Sequence, residues 1–412
     1  MTGLRFLLVG AELSRNRGTA SIVLSAIMEI RRVFENPAIT FISYSPERDR
    51  RFETALAIRI PHDVSNIRIF AETILIVLER CLRIELVGGE TRKSEYKRSD
   101  VVVNLSGDGL TDDFGVVRSV RSWLPFFWCI ILRVPVVIHS QSIGPFRNGI
   151  ARRIARFFLD RVDLLIVREE ISRNYLIQIG VKQEVLMTAD GAFLLGAISE
   201  NEARETLKME RIPVDNGRPL VGIAPSELLF RFSRSREGVA AGEYLLNLAE
   251  LADHMIEEHD VDVVFIPHVT DPNLNPNDRD IAVAAAKKSK YRERVFVIEG
   301  AYQPEVIRGI IGLCTLFIGA RMHANIAALT MHVPTVAISY SNKTPGIMSM
   351  AGQDQYVRNW DDPPERLLET VEDAWERRTQ IRRTLLDRIP EIQALARRTA
   401  ELISERVVQK NM

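Results

Sequence analysis

The chain of 412 residues has only three cysteines, Cys81, Cys129 and Cys314, each among apolar neighbours and none at paired spacing. Neither a zinc cluster nor a disulfide framework is thereby supported, and a reducing, cytoplasmic setting fits best. Charge of one sign is also lacking: Lys plus Arg number 54 against 54 Asp plus Glu. A general electrostatic grip on nucleic acid or on an anionic membrane has no basis, so any anion site must be local. No long apolar run is present either. The most apolar stretch, WLPFFWCIILRVPVVI from Trp123 to Ile138, is broken by Arg133 and Pro135 and falls short of the roughly 20 residues that cross a bilayer. It reads as a buried helix followed by a strand; its aromatic first half leaves a peripheral contact with the inner face of the membrane open. The opening MTGLRFLLVGAELSRNRG holds one short apolar run and reads as a first strand, not a signal peptide.

Several catalytic signatures are missing as well. Neither GxGxxG nor GxxxxGK[ST] occurs, which weakens nicotinamide and P-loop assignments, and HExxH and GxSxG are absent. The loop from Asp271 alternates acids and amides like an EF-hand, but its sixth position is Pro276 and its twelfth Ala282. Such a loop lacks the glycine and the bidentate glutamate that calcium requires. No metal is called for.

What the sequence does have is alternation. RFLLV, AITFIS, DVVVNL, PVVIHS and DLLIVR read as strands in the first half, and PLVGIAPS, VDVVFIP, RVFVI, CTLFIG and PTVAISYS in the second. Helical periodicity separates them at Thr19–Val33, Ile150–Leu159, Glu169–Ile179, Glu243–Glu257 and Pro304–Ile311. This is the pattern of parallel sheets with crossover helices, an α/β class with two doubly wound, Rossmann-like domains. A charged, less regular interval from Ser199 to Arg218 places the boundary near residue 200, giving domains over 1–200 and 201–362. A charged helical tail over 363–412 is expected to pack back across them. Open α/β sheets bind ligands beyond the strand C-termini, so the loops there carry the candidates.

After CTLFIG, Arg321 and His323 fall at a strand exit and a helix N-terminus, where free amides and the helix dipole favour an anion. Arginine binds phosphate or carboxylate bidentately, and histidine there suits acid/base work; a structural ion pair and a turn cap explain the same residues blandly. Asn342 and Lys343 end the adjacent strand PTVAISYS, with a helix opening at Pro345. In the first half, Asn16, Arg17 and Gly18 lie between the first strand and first helix, and Gly107, Asp108 and Gly109 follow the third strand. Gly107 and Gly109 suit unusual backbone angles or close ligand approach, or an ordinary tight turn. Gln141 ends a fourth strand and Arg168 a fifth; Arg168 has Glu169 and Glu170 as nearby pairing alternatives. His268, in FIPHVTDP, is a further polar contact or a plain loop residue.

Taken together, NRGTAS, SGDGLTDDFG, HSQSIGPF, DLLIVREEIS, TADGAFLL and, above all, IGARMHANIAALTMHVPTVAISYSNKTPG resemble the polysaccharide pyruvyl transferase family. The likeness runs from about Phe6 to Gly352. It implies a GT-B-like fold and transfer of the enolpyruvyl unit of phosphoenolpyruvate to a sugar as a cyclic ketal. It also implies donor binding by Arg321 and acid/base chemistry by His323, with Lys343 and Asn342 flanking the donor and Arg168 on the opposing domain. The first domain would serve the acceptor, a glycan or a lipid-linked or nucleotide-linked sugar. Phosphoenolpyruvate is then a co-substrate, and no cofactor is needed. Thr19 and Asp108 depart from the family pattern, where many members have an acidic residue and a glycine. A nucleotide-sugar glycosyltransferase of GT-B type and a non-catalytic carbohydrate-binding protein are the alternatives; the oligomeric state is unassigned.

Overall fold

The computed structural model describes residues 3–61, 72–74, 76–79, 92–113, 115, 119, 121–235, 242–271, 273–341 and 343–409. By its internal contacts the chain forms two units. Unit 1 comprises Met1–Ser14, Thr19–Gly191 and Ala394–Met412; unit 2 comprises Arg15–Gly18 and Ala192–Gln393.

Unit 1 is built on β1 (Arg5–Ala11), β2 (Ala38–Ser43), β3 (Val101–Asn104), β4 (Val136–Gln141), β5 (Leu164–Val167) and β6 (Val185–Met187). They form one parallel sheet in the order β2-β1-β3-β4-β5-β6. Helices α1 (Arg17–Val33), α2 (Leu124–Leu132), α3 (Gly149–Leu159) and α4 (Glu170–Gln178) connect the strands. The strands read as unbroken apolar runs because both faces are buried. Phe6, Leu8, Val103 and Ile166 belong to one core, and Leu7, Val9, Val102 and Leu165 to another. Each fully buried side chain of this kind contributes roughly 1.5–3 kcal/mol of transfer free energy. The aromatic half of the Trp123 stretch is core too: Trp123, Phe126 and Trp128 are buried as part of α2 and its approach.

Unit 2 carries β7 (Leu220–Ala224), β8 (Asp262–Phe265), β9 (Val295–Val297), β10 (Leu316–Gly319), β11 (Thr335–Ser339) and β12 (Val357–Asn359). Its parallel sheet has the order β9-β8-β7-β10-β11-β12, which is the Rossmann order with its switch point between β7 and β10. The helices are α5 (Glu200–Met209), α6 (Glu227–Ser235), α7 (Glu243–His259), α8 (Asp278–Ala286), α9 (Pro304–Gly312), α10 (Met322–Thr330), α11 (Lys343–Met350) and α12 (Pro364–Glu376). A last helix, α13 (Arg378–Ile403), follows. The two Rossmann-like units with a helical tail are the GT-B-like class expected.

Three details differ from expectation. The charged interval after Ser199 is not a linker. It forms α5, opened by a capping box in which Ser199 and Glu202 satisfy each other's backbone amides. Its residues belong to unit 2, where buried Arg308 of α9 donates to the Ala192 and Leu195 carbonyls. The contact boundary accordingly falls at Gly191/Ala192, not at 200/201, and the tail divides at Gln393/Ala394. The strands β6 and β12, three residues each at sheet edges, are too short for a periodic signal. Finally α11 opens at Lys343 and not at Pro345.

Candidate functional site

In unit 2 the loops at the switch point converge on Arg321. It directly follows Gly319-Ala320 at the end of β10 and is the N-cap residue of α10, with extended backbone angles φ −111°, ψ 120°. Asp278, the first residue of α8, takes its guanidinium in a fork: Nε donates to Oδ2 at 3.0 Å and Nη2 to Oδ1 at 2.5 Å. The same carboxylate accepts the backbone amides of Glu227 and Val269, each at 2.8 Å. Glu227, just after β7, adds a longer contact of 3.4 Å to Nη2.

Burial opposes the charge on Arg321, but Asp278 outweighs it and the guanidinium is held well above its ordinary value. The ion pair that one reading of the sequence foresaw therefore exists. It uses one edge of the fork and leaves Nη1 without an acceptor among the described residues.

His323 is the second residue of α10. Gly18 lies against its ring: a Cβ on Gly18 would stand 2.5 Å from Nδ1 and 2.7 Å from Cγ. This is a close approach that only glycine permits. Asn16 fixes that turn by accepting the Gly18 amide at 2.9 Å and bridging Val269.

Arg17 donates to three carbonyls, Pro267 at 2.6 Å, Tyr302 at 3.1 Å and Gly300 at 3.2 Å. Burial pushes its pKa down to about 10, with Asp278 acting the other way. Arg17 thus ties the Asn16–Gly18 turn to the loops after β8 and β9, and its fork is spent on protein carbonyls. These residues, read as acceptor-side in the first domain, belong to unit 2.

His268 follows β8 and is buried. Burial first, then the charges of Arg17, His323 and Arg321, hold it well below the ordinary histidine range. Its Nδ1 has no hydrogen-bond partner among the described residues. Lys343 is buried at the start of α11, one strand away from Arg321 across the β10–β11 pair. Asn342 lies outside the described residues.

Unit 1 gathers the other candidates at its own strand ends. Arg168, immediately after β5, is fully buried. Its Nη1 donates to Asp190 at 2.5 Å and its Nε to Ser142 Oγ at 2.8 Å, while Nη2 has no partner among the described residues. The carboxylates offered by proximity in sequence go elsewhere: Glu169 caps α4 through the Ser172 amide, and Glu170 pairs with Arg173.

Gln141 is buried and donates through Nε2 to the Asn104 carbonyl and side-chain oxygen at 2.5 and 2.7 Å. Gly107 has φ +67°, and its carbonyl accepts the Ser142 amide at 2.9 Å. Gly109 has no such angle; it closes a turn onto the Ser106 carbonyl at 3.2 Å, as does Asp108 at 2.7 Å. Of the two glycines only Gly107 needs to be one for its backbone.

The structure therefore brings Arg321, His323, His268, Arg17 and Gly18 together in unit 2, and Arg168, Gln141 and Gly107 in unit 1. Sequence reading missed the acids that set both clusters, Asp278 and Asp190. Each sits in a stretch already noted, PNDRD and TADGAFLL, but the signal is a carboxylate without a local partner, which pattern alone does not rank.

A family model described as polysaccharide pyruvyl transferase matches residues 16–342, more than half of the chain. Among curated proteins, the amylovoran biosynthesis protein AmsJ of Erwinia amylovora is 24% identical over 372 residues, covering 85% of this chain and 86% of that one. Among solved structures, UDP-GlcNAc 2-epimerase from Neisseria meningitidis bound to UDP-GlcNAc aligns with TM-score 0.58 and 13% identity, over 98% of this chain and 100% of that one. The S. aureus MnaA-UDP co-structure aligns with TM-score 0.62 and 11% identity, over 97% and 96%. At such identities the structural likeness speaks for the fold alone.

Proposed function

Since the chain belongs to the polysaccharide pyruvyl transferase family, a family of polysaccharide biosynthesis, we propose that it moves pyruvate from phosphoenolpyruvate onto a sugar of a polysaccharide or its precursor. The product is a cyclic ketal and the leaving group inorganic phosphate. The observation that carries this reading is Arg321, fixed by Asp278 at the β7/β10 switch point with its Nη1 left without an acceptor among the described residues, beside His323 on the first turn of α10. A small polyanion is the ligand such a place suits.

In the proposed reaction His323 delivers a proton to the methylene carbon of phosphoenolpyruvate, and one sugar hydroxyl adds to the resulting oxocarbenium-like carbon. Phosphate then departs and a second hydroxyl closes the ring. Two hydroxyl protons are released: one replaces the proton consumed at the methylene and the other leaves with phosphate, so the step balances without an oxidant. Arg321 and Lys343 would hold phosphate and carboxylate and offset the charge of the leaving group. Arg168, whose buried Nη2 has no partner among the described residues, is the anion contact proposed within unit 1 itself. A soluble chain of this kind fits the cytoplasm; no helix among the described residues is long and apolar enough to cross a membrane.

The test is phosphate release from phosphoenolpyruvate with a glycan acceptor, in the wild type and in His323→Ala. The reading expects retained phosphoenolpyruvate binding and turnover down by about 10²–10⁴-fold, the usual reach of general acid–base catalysis. Unchanged turnover in the variant would sink the role given to His323.

A further inference from the structure

In unit 1, α3 and α4 present a face that the proposed chemistry leaves unused. Ala151, Ala155 and Leu159 are the buried side of α3. The opposite side carries Ile150 at 68% exposure and Phe157 at 48%, and neighbouring α4 adds Ile171 at 38% and Ile177 at 55%. Of the exposed large apolar side chains on the molecule, these four fall on two adjacent helices and so make a candidate patch.

They are set among cations. α3 and its flanks contain Arg147, Arg152, Arg153, Arg156 and Arg161 against the single acid Asp160, and Asp160 is occupied in capping the Lys182 amide at 2.6 Å. Ile150, Arg153 and Phe157 share the outward stripe by their three- and four-residue spacing. The Arg161 guanidinium lies 3.9 Å from the Phe157 ring centroid, its Nη1 bonded to the Phe157 carbonyl. Of the flanking cations, Arg147 is paired with Asp113.

Between the two helices lies a cavity of about 320 Å³ lined by Arg152, Arg156, Tyr175, Gln178 and Ile179. Arg152 is tethered there to the Phe146 carbonyl, with Nε and Nη2 both at 3.3 Å. Arg156 Nε is buried with no acceptor among the described residues. Gly180, at φ +79°, lies against that guanidinium, where a Cβ would make ordinary contact at 3.5 Å. A cationic cavity on the same two helices as the exposed isoleucines has the chemistry of a headgroup phosphate near acyl chains.

We infer that this face docks unit 1 onto an anionic lipid bilayer, with Ile150, Phe157 and Ile177 entering the interface and the Arg152–Arg156 cavity receiving a headgroup phosphate. The charge pattern selects this occupant. A second copy of the chain placed on the same face by a two-fold axis would set arginine against arginine, whereas an anionic bilayer complements both the cations and the apolar stripe. The balanced total charge of the chain agrees, since the attraction is confined to one face. It is also a different surface from the aromatic half of α2, which the core absorbs.

The test is flotation of the full chain with phosphatidylcholine vesicles containing or lacking phosphatidylglycerol, at low and at moderate salt. The expected result is at least tenfold greater binding to the anionic vesicles, falling as salt screens it. The double variants Ile150→Asp/Phe157→Asp and Arg152→Gln/Arg156→Gln should each lose at least tenfold in binding. The first pair is exposed and should keep the melting temperature and the turnover with a soluble acceptor, so loss of docking and loss of chemistry are told apart. A wild type that prefers neutral vesicles or treats both alike overturns the inference. So does an Ile150→Asp/Phe157→Asp protein that floats undiminished, or a chain that binds inorganic phosphate at the arginine cavity while ignoring anionic vesicles.

Discussion

Replacing Asp278 with asparagine removes one charge and almost no volume, and the structure says what that should cost. The carboxylate is fully buried and accepts four hydrogen bonds, two from the Glu227 and Val269 amides and two from Arg321. Oδ1 serves Glu227 and Nη2, and Oδ2 serves Val269 and Nε. Whichever way the asparagine amide turns, its NH₂ group faces one backbone N–H and one guanidinium N–H. Two charge-assisted bonds, each of about 1.5–3 kcal/mol, become donor–donor contacts. The buried guanidinium also loses its counter-charge, and breaking such a pair from one side costs roughly 3–5 kcal/mol. We expect Asp278→Asn to lower unit 2 stability by about 3–5 kcal/mol in urea unfolding, followed by the fluorescence of Trp360 and Trp375. Glu227→Gln, whose contact to Arg321 is longer at 3.4 Å, should lose less. A loss in Asp278→Asn below about 1 kcal/mol, the level of an exposed pair, would refute the claim that this carboxylate organises the site.

Gly18→Ala should spare the fold and cut turnover by at least tenfold, because its Cβ would displace the His323 ring; equal kcat in the two proteins would mean that the ring position is free. Stability should also fall with acid. Burial holds His139 at about 4, against about 6.5 for free histidine, so the unfolded chain binds more protons than the folded one between these values. The stabilisation is therefore complete above the unfolded pKa and lost as pH falls towards the folded one, by about 2 kcal/mol at about pH 5. Buried His268 shifts in the same direction. Urea midpoints that stay flat from pH 7 to pH 5 would contradict this.

Ten of the twelve strands among the described residues were legible, most of them because a parallel strand buried on both faces is an unbroken β-branched run, and DVVVNL or CTLFIG leaves little else to be. The edge strands β6 and β12 were not, being short and only partly covered. The Ser199 interval misled because its helix buries few residues, Ala203, Thr206 and Leu207, and is polar elsewhere. Strand-end position put Arg321, His323 and Arg168 at the exits of β10 and β5, and that is where the structure has them. It could not find Asp278 or Asp190, since pairing across 43 and 22 residues is a property of the fold. Nor could it show that the Arg17 guanidinium donates to three backbone carbonyls: basic side chains in a loop look alike until their acceptors are known.

The account rests on Arg321 as the grip on a small polyanionic donor, and calorimetric titration of phosphoenolpyruvate into the wild type and Arg321→Lys tests it most directly. Lysine keeps the charge opposite Asp278 but has no counterpart to the spare Nη1 of the guanidinium. The account predicts saturable binding in the wild type and at least tenfold weaker binding in Arg321→Lys. Equal affinity in the two proteins, or a wild type that ignores phosphoenolpyruvate and binds a nucleotide sugar instead, would contradict it.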